Sequence, residues 1–173
     1  FGACAGRQMN AASYNTAVGY SSLENTSSGT GNVACGYKTL EANTTSDNNA
    51  AFGYECLKAS SGGASNVAIG YQCGLDVSTG SSNTIVGYYT GRGITTGGQN
   101  VLMGNNVATY VTTLTTGDKN IYVGGYVRTS NSNADTELVL GYNLTGKGDN
   151  TGFIGGSSGI YQENNGSHWT TTS

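Results

Sequence analysis

Asn66-Val67-Ala68-Ile69-Gly70-Tyr71 is one copy of a unit that recurs along this chain. The glycine returns every 17 residues at Gly2, Gly19, Gly36, Gly53, Gly70, Gly87 and Gly104, then at Gly124, Gly141 and Gly155 after steps of 20, 17 and 14. Asparagine keeps the same beat four residues earlier, at Asn15, Asn32, Asn49, Asn66, Asn83, Asn100 and Asn120. A mostly apolar triplet lies between them, and tyrosine follows the glycine at Tyr20, Tyr37, Tyr54, Tyr71, Tyr88 and Tyr142. A short period sustained this far predicts stacked, near-identical coils rather than a globular core.

Bulk composition agrees. Of 173 residues, 29 are glycine and none is proline, a balance that would suggest a flexible linker if it had no period. The net charge of −3 argues against a nucleic-acid surface, which needs a basic stripe. No apolar run is long enough to cross a bilayer as a helix. The chain opens at Phe1-Gly2, already inside a repeat, and reads as a fragment or a processed piece.

Seventeen residues suit two short strands and two turns, and are too few and too glycine-rich for a helical repeat. Successive copies then pair in parallel register about 4.8 Å apart. The corner residues are Gly19, Gly36, Gly53, Gly70, Gly87 and Gly104, with Asn32 and Asn66 at the opposite corner. Glycine there supplies a conformation other residues avoid, while asparagine tolerates a left-handed turn and bonds to backbone or to its stacked copies. Leu23, Leu40 and Leu57 mark the second strand, and their ladder breaks at Gly74. Lys38 is expected to stack on Glu55, and Glu41 on Lys58.

Strand alternation sorts the triplet into two faces. Val33/Cys35, Val67/Ile69 and Val101/Met103 share one; Ala17, Ala34, Ala51, Ala68, Ile85, Leu102, Tyr122 and Val139 occupy the other. Both faces are apolar. One can fill the coil, and the other needs a cover, for which another copy of the chain is the obvious source. The expectation is a parallel homotrimer with the alanine row and its larger successors buried.

Asn-x-Ala-x-Gly, as in Asn66 to Gly70 and Asn32 to Gly36, resembles the head repeats of trimeric autotransporter adhesins and related repeats of phage and virus tail fibres. The resemblance covers residues 1–155 and implies a left-handed parallel β-roll with three chains side by side. The adhesin repeat is commonly nearer fourteen residues, so longer turns should project here. Residues 156–173 form a C-terminal cap or tail, with His168 and Trp169 packed in it. They resemble the segment before the intramolecular chaperone of phage tailspikes, which implies self-cleavage after Ser173. The Asp and the chaperone lysine that would complete that match are not in the chain.

No catalytic pattern emerges. His168 is the sole histidine and has no nucleophile elbow near it. The calcium nonapeptide, P-loop, Rossmann and HExxH motifs are missing, so no cofactor or metal is expected. The four cysteines have no metal spacing; Cys35 reads as a small buried thiol, and Cys56 and Cys73 fall one coil apart, near the lower limit of disulfide geometry. Recognition is placed in the irregular loops, at Tyr89, Arg92, Asn105, Asn106, Tyr110, Thr112, Thr113 and Thr115, because loops on a rigid scaffold carry binding variation. The tyrosine ladder suits sugar stacking, but a structural ladder is the plainer reading.

The combined expectation is a non-enzymatic, trimeric, all-β solenoid on the virion surface, a tail-fibre module attaching to host glycans or another host receptor. Its other partners would be fibre or tail proteins, with no nucleic acid and no membrane insertion. The alternatives are a bacterial trimeric surface adhesin head, and a polysaccharide-degrading tailspike, for which no carboxylate pair can be singled out.

Overall fold

The computed structural model describes residues 2–109 and 113–155. They form a parallel β-solenoid with a single sheet of nine strands in sequence order. The strands are β1 Thr16–Val18, β2 Val33–Tyr37, β3 Ala50–Tyr54, β4 Val67–Tyr71, β5 Thr84–Tyr88, β6 Val101–Asn105, β7 Ile121–Gly125, β8 Leu138–Tyr142 and β9 Gly152–Gly155. Register follows the repeat throughout: Ala34 pairs with Ala51, Ala51 with Ala68, and Gly53 with Gly70. The steps of 20 and 14 do not disturb it, since Gly104 pairs with Gly124 and Gly141 with Gly155.

Each coil holds one strand, not two. Leu23, Leu40 and Leu57 sit in turns, with φ of 49°, 51° and 49°. Left-handed backbone is unusual for leucine. Here it reverses the chain and places the side chain inside the coil, where all three are fully buried. The leucine ladder breaks at Gly74 as the sequence predicts, and the structure shows what replaces it. In the earlier coils the leucine is followed three residues on by buried Thr26, Asn43 or Ser60; afterwards that position holds buried Val77, Ile94 and Leu114. The strand-centre residue grows in step, from Ala68 to Ile85 and Leu102. Space therefore vanishes where the leucine had been. A Cβ on Gly74 would lie 2.9 Å from Ile85 Cδ1 and 3.2 Å from Val77 Cγ2. The core volume stays filled while its contributors rotate around the coil.

The glycine lies within the strand rather than at a corner. Gly70 is the fourth residue of β4, at φ +133°, and a Cβ there would lie 1.8 Å from the Gly87 carbonyl oxygen. Only a residue with no side chain fits both constraints.

Asparagine occupies the corner before the strand and binds in two directions. Asn66 Nδ2 donates to Asn49 Oδ1 at 3.1 Å and to the Gly80 carbonyl at 2.9 Å, while Asn66 Oδ1 accepts the Asn83 backbone N–H at 2.9 Å. Ladder members Asn32 to Asn120 are buried. Each amide satisfies a carbonyl and an N–H of the next coil that would otherwise go unpaired. The left-handed residue is the one before it, at Gly31, Asn48, Ser65, Ser82 and Gln99.

Coil closure also settles which apolar row is internal. Ala34, Ala51, Ala68, Ile85, Leu102, Tyr122 and Val139 are completely buried within the single chain. Their burial comes from the coil interior, not from another copy. The flanking rows face outward.

Candidate functional site: the outer sheet face and its edges

The outward rows make a continuous apolar surface. Val18, Phe52, Ile69, Met103 and Ile121 are exposed, Ile69 at 42%, and Val33, Cys35, Val67, Val86, Val101, Val123, Leu138 and Leu140 are half-buried between them. Cys35, predicted to be a buried thiol, belongs to this outer face. A parallel sheet normally has both faces covered. Among the described residues this one has cover only on its inner face, and contiguous apolar area of this kind marks an interaction surface.

The tyrosines continue that face. Tyr20, Tyr37, Tyr54, Tyr71 and Tyr88 stack with centroids 5.5, 4.9, 4.9 and 5.3 Å apart and interplanar angles of 20° or less. The parallel register sets that spacing. Tyr37, Tyr54 and Tyr71 have a neighbouring ring on each side, so the ladder offers edges to a ligand and keeps its faces for itself. At its upper end Tyr89 meets Tyr71 and Tyr88 edge-on, at 5.2 and 4.3 Å.

A mixed-charge edge borders the ladder. Lys38 bridges Glu41 at 3.0 Å and Lys58 bridges Glu55 at 2.7 Å, both within one coil rather than between coils as the sequence suggests. The left-handed turn between the partners brings positions three apart together. Cross-coil contact is made instead by Gln72, which donates to Glu55 at 2.7 Å, and by Arg7 with Glu24 at 3.2 Å. Hydrogen bonding to Glu41 raises the Lys38 pKa. Such exposed pairs fix register more than they stabilise.

The predicted loop residues fall into separate places. Arg92 lies over the Tyr89 ring, 5.4 Å from its centroid, and shares a depression with Asp76, Gly93, Thr109 and Thr113. Asn105 takes the tyrosine position in β6, opposite Tyr88, and accepts a bond from Asn106 Nδ2 at 2.6 Å. Asn106 is buried at a left-handed turn. Thr115 Oγ1 donates to the Ser132 carbonyl at 3.0 Å, a structural use. Tyr89, Arg92 and Thr113 thus lie near one another, whereas Asn106 and Thr115 serve the coil. Tyr110, Thr112 and Ser173, with the predicted cap at 156–173, lie outside the described residues.

Cys56 and Cys73 are free and buried. Cys56 Sγ donates to the Gly70 carbonyl and Cys73 Sγ to the Gly87 carbonyl, each at 3.1 Å. Thr90, one coil further, donates to the Gly104 carbonyl at 2.6 Å. The thiols therefore do the work of a hydroxyl. Contact with Cys56, then burial, pushes the Cys73 pKa up and keeps it a donor.

One residue escaped the sequence reading. Glu137 stands where the asparagine beat calls for an amide, and it is 1% exposed. Its backbone N–H still takes the Asn120 Oδ1 bond at 2.9 Å. Its carboxylate accepts the Tyr122 hydroxyl at 2.6 Å, the Ser130 N–H at 3.2 Å and the Gly148 N–H at 2.8 Å. This is also where the coil shortens, because Arg128 pairs with Thr145 but Asp135 meets Asp149, three residues early. A Cβ on Gly146 would fall 2.0 Å from Glu137 Oε1. The carboxylate fills the space the missing residues vacate. Burial, then the Glu137 bond, pushes the Tyr122 phenol up. The interrupted asparagine beat, beside the step of 14, was the available signal.

Among the described residues, no group of three or more His, Cys, Asp or Glu side chains is placed to hold a metal, and no helix is long and apolar enough to cross a membrane. Comparison with protein-family models, curated proteins and solved structures yields no match to this chain.

Proposed function

We propose that this chain is a rigid shaft segment of a trimeric attachment fibre of the viral tail-fibre kind, coiled as a left-handed β-roll and presenting its outer loops to a host surface. The observation that carries the reading is the apolar outer face of the nine-stranded sheet, which no other described residues cover and which runs from β1 to β9. Parallel copies of one chain are the economical cover, because identical coil spacing keeps identical rows in contact over many coils. The contact rows are then Val18, Phe52, Ile69, Met103 and Ile121, with the tyrosine ladder at the border, and not the alanines. The Asn-x-Ala-x-Gly resemblance to fibre and adhesin repeats favours three chains and a role at a surface.

Sedimentation equilibrium tests the assembly. The chain is expected to run as a trimer, and Ile69→Asp with Met103→Asp should dissociate it while the single coil interior stays intact. A stable wild-type monomer at micromolar concentration overturns the assembly. Attachment is tested by competition: purified chain should reduce binding of the parent particle to its host cells, and undiminished binding at saturating chain argues against the attachment role.

A further inference from the structure

A second surface, on the corner that leads into β5 and β6, has the makings of a ligand site. Thr79, Ser81, Ser82, Thr96, Gly98, Gln99 and Asp118 line a depression of about 280 Å³. Thr30, Asp47, Ala64, Ser81, Gly98, Asp118 and Asp135 occupy equivalent positions in successive coils, and in this column a side-chain oxygen often caps the N–H of the coil before. Asp47 Oδ1 does so for Thr30 at 2.7 Å, Ser81 Oγ for Ala64 at 3.1 Å, and Asp118 Oδ1 for Gly98 at 2.6 Å. Gly98 alone has no side chain, a Cβ there being only 2.9 Å from the Ser81 carbonyl oxygen and 3.6 Å from Asp118 Oδ1, and the gap lies between Ser81 and Asp118.

The groups around the gap differ from those beside it in one respect. Ser78, Thr95 and Thr115 spend their hydroxyls on the next coil's carbonyl, at 3.0, 3.1 and 3.0 Å. The next residues outward do not. Thr79 Oγ1, Ser82 Oγ, Thr96 Oγ1 and the Gln99 amide bond to no other side chain or backbone group among the described residues, and neither does Asp118 Oδ2. The gap thus brings together hydroxyls and an amide that both donate and accept, and one carboxylate oxygen that only accepts. Among the described residues, no basic side chain and no aromatic ring lines it.

We propose that this depression binds one neutral pyranose unit of a glycan. Its volume is at the lower limit for small-molecule sites and suits a single ring. Sugar hydroxyls match an array of mixed donors and acceptors, and Asp118 disfavours carboxylated sugars by charge. A single copy binds weakly, and repetition around an oligomer raises the avidity. The site rests on the proposed function for the source of the sugar, a host surface glycan, and for the oligomer that repeats it.

Saturation-transfer NMR on the full chain, with lactose, maltotriose and methyl α-mannoside as neutral probes and 3′-sialyllactose as the acidic one, tests it. Transfer to at least one neutral probe is expected, stronger for lactose than for sialyllactose. The exposed pair Thr96→Val with Gln99→Ala should lower affinity at least fivefold with unchanged melting, while Thr45→Val, in the same row but remote, should not. No transfer to any neutral probe, a preference for sialyllactose over lactose, or undiminished binding by the double variant overturns the site. Cell adhesion separates the two ideas. If the double variant loses sugar transfer but adheres to cells like wild type, the attached sugar is not this site's ligand and attachment stands. If sugar binds but the wild-type chain does not adhere, attachment falls and the sugar site stands.

Discussion

Between Val33 and Asn105 every coil keeps the same asparagine corner although its core residues change; between Ile121 and Gly155 the corner itself changes. The first region sets a buried asparagine before each strand and bonds it to its copies above and below. The second replaces that amide at Glu137 with a carboxylate that gathers one hydroxyl and two backbone N–H groups. An amide ladder is both donor and acceptor, so it can repeat without end. A carboxylate only accepts, so it stops the ladder and must draw its donors from around the coil. The difference teaches that the repeat is not the only solution to stacking: a coil can lose three residues if a buried acid takes their space.

The largest expected effect tests what the two regions share. Gly70→Ala combines a positive φ with a Cβ 1.8 Å from the Gly87 oxygen, and should cost about 4 kcal/mol in a denaturant titration. Gly62→Ala, whose Cβ would sit 3.5 Å from Thr79 Cγ2, should stay within about 0.5 kcal/mol. Equal tolerance at both sites would mean that the strand glycines are conveniences of composition rather than conditions of coil stacking.

Next comes the feature that separates the regions. Glu137→Ala removes the shorter of the two bonds of the buried Tyr122 hydroxyl, leaving it Thr129 Oγ1 at 3.2 Å, and strands two part-buried N–H groups, a loss of about 3 kcal/mol. Hydrogen exchange should show it locally, with protection lost in β7 to β9 and retained in β2 to β5. In a solenoid each coil touches only its neighbours, so damage stays near its origin. Uniform loss along all strands would show that the two regions fold as one cooperative unit.

Much of this architecture was legible in the period. The 17-residue beat of Gly53 and Gly70 predicts their pairing, and the alternation around Ala68 predicts two apolar rows. Alternation has no sign, however: it divides Val67 and Ile69 from Ala68 without saying which faces inward. Only closure of the coil decides that, and closure depends on the left-handed turns at Lys38 and Leu40, residue types that composition does not associate with positive φ. The same turns explain why Leu40 looks like a strand residue in the sequence and is none. The depression at Gly98 was invisible for another reason. It is a gap in a column three coils deep, and its meaning depends on which hydroxyls are already spent.

The smallest effect concerns the coil position shared by Ser22, Thr39, Cys56, Cys73 and Thr90. If the cysteines matter only as donors to the next glycine carbonyl, Cys56→Ser should change stability by less than about 1 kcal/mol, because a hydroxyl replaces a weaker thiol donor in nearly the same volume. Cys56→Val should cost more, since it keeps the apolar contact and leaves the Gly70 carbonyl without that donor. A reductant should not shift the melting temperature, as both thiols are free. The opposite order, serine worse than valine, would make burial rather than hydrogen bonding the role of this position. Thr90, bonded to the Gly104 carbonyl at 2.6 Å, then supplies the control from the adjoining coil: Thr90→Val should cost at least as much as Cys56→Val, because a hydroxyl is the stronger donor to lose.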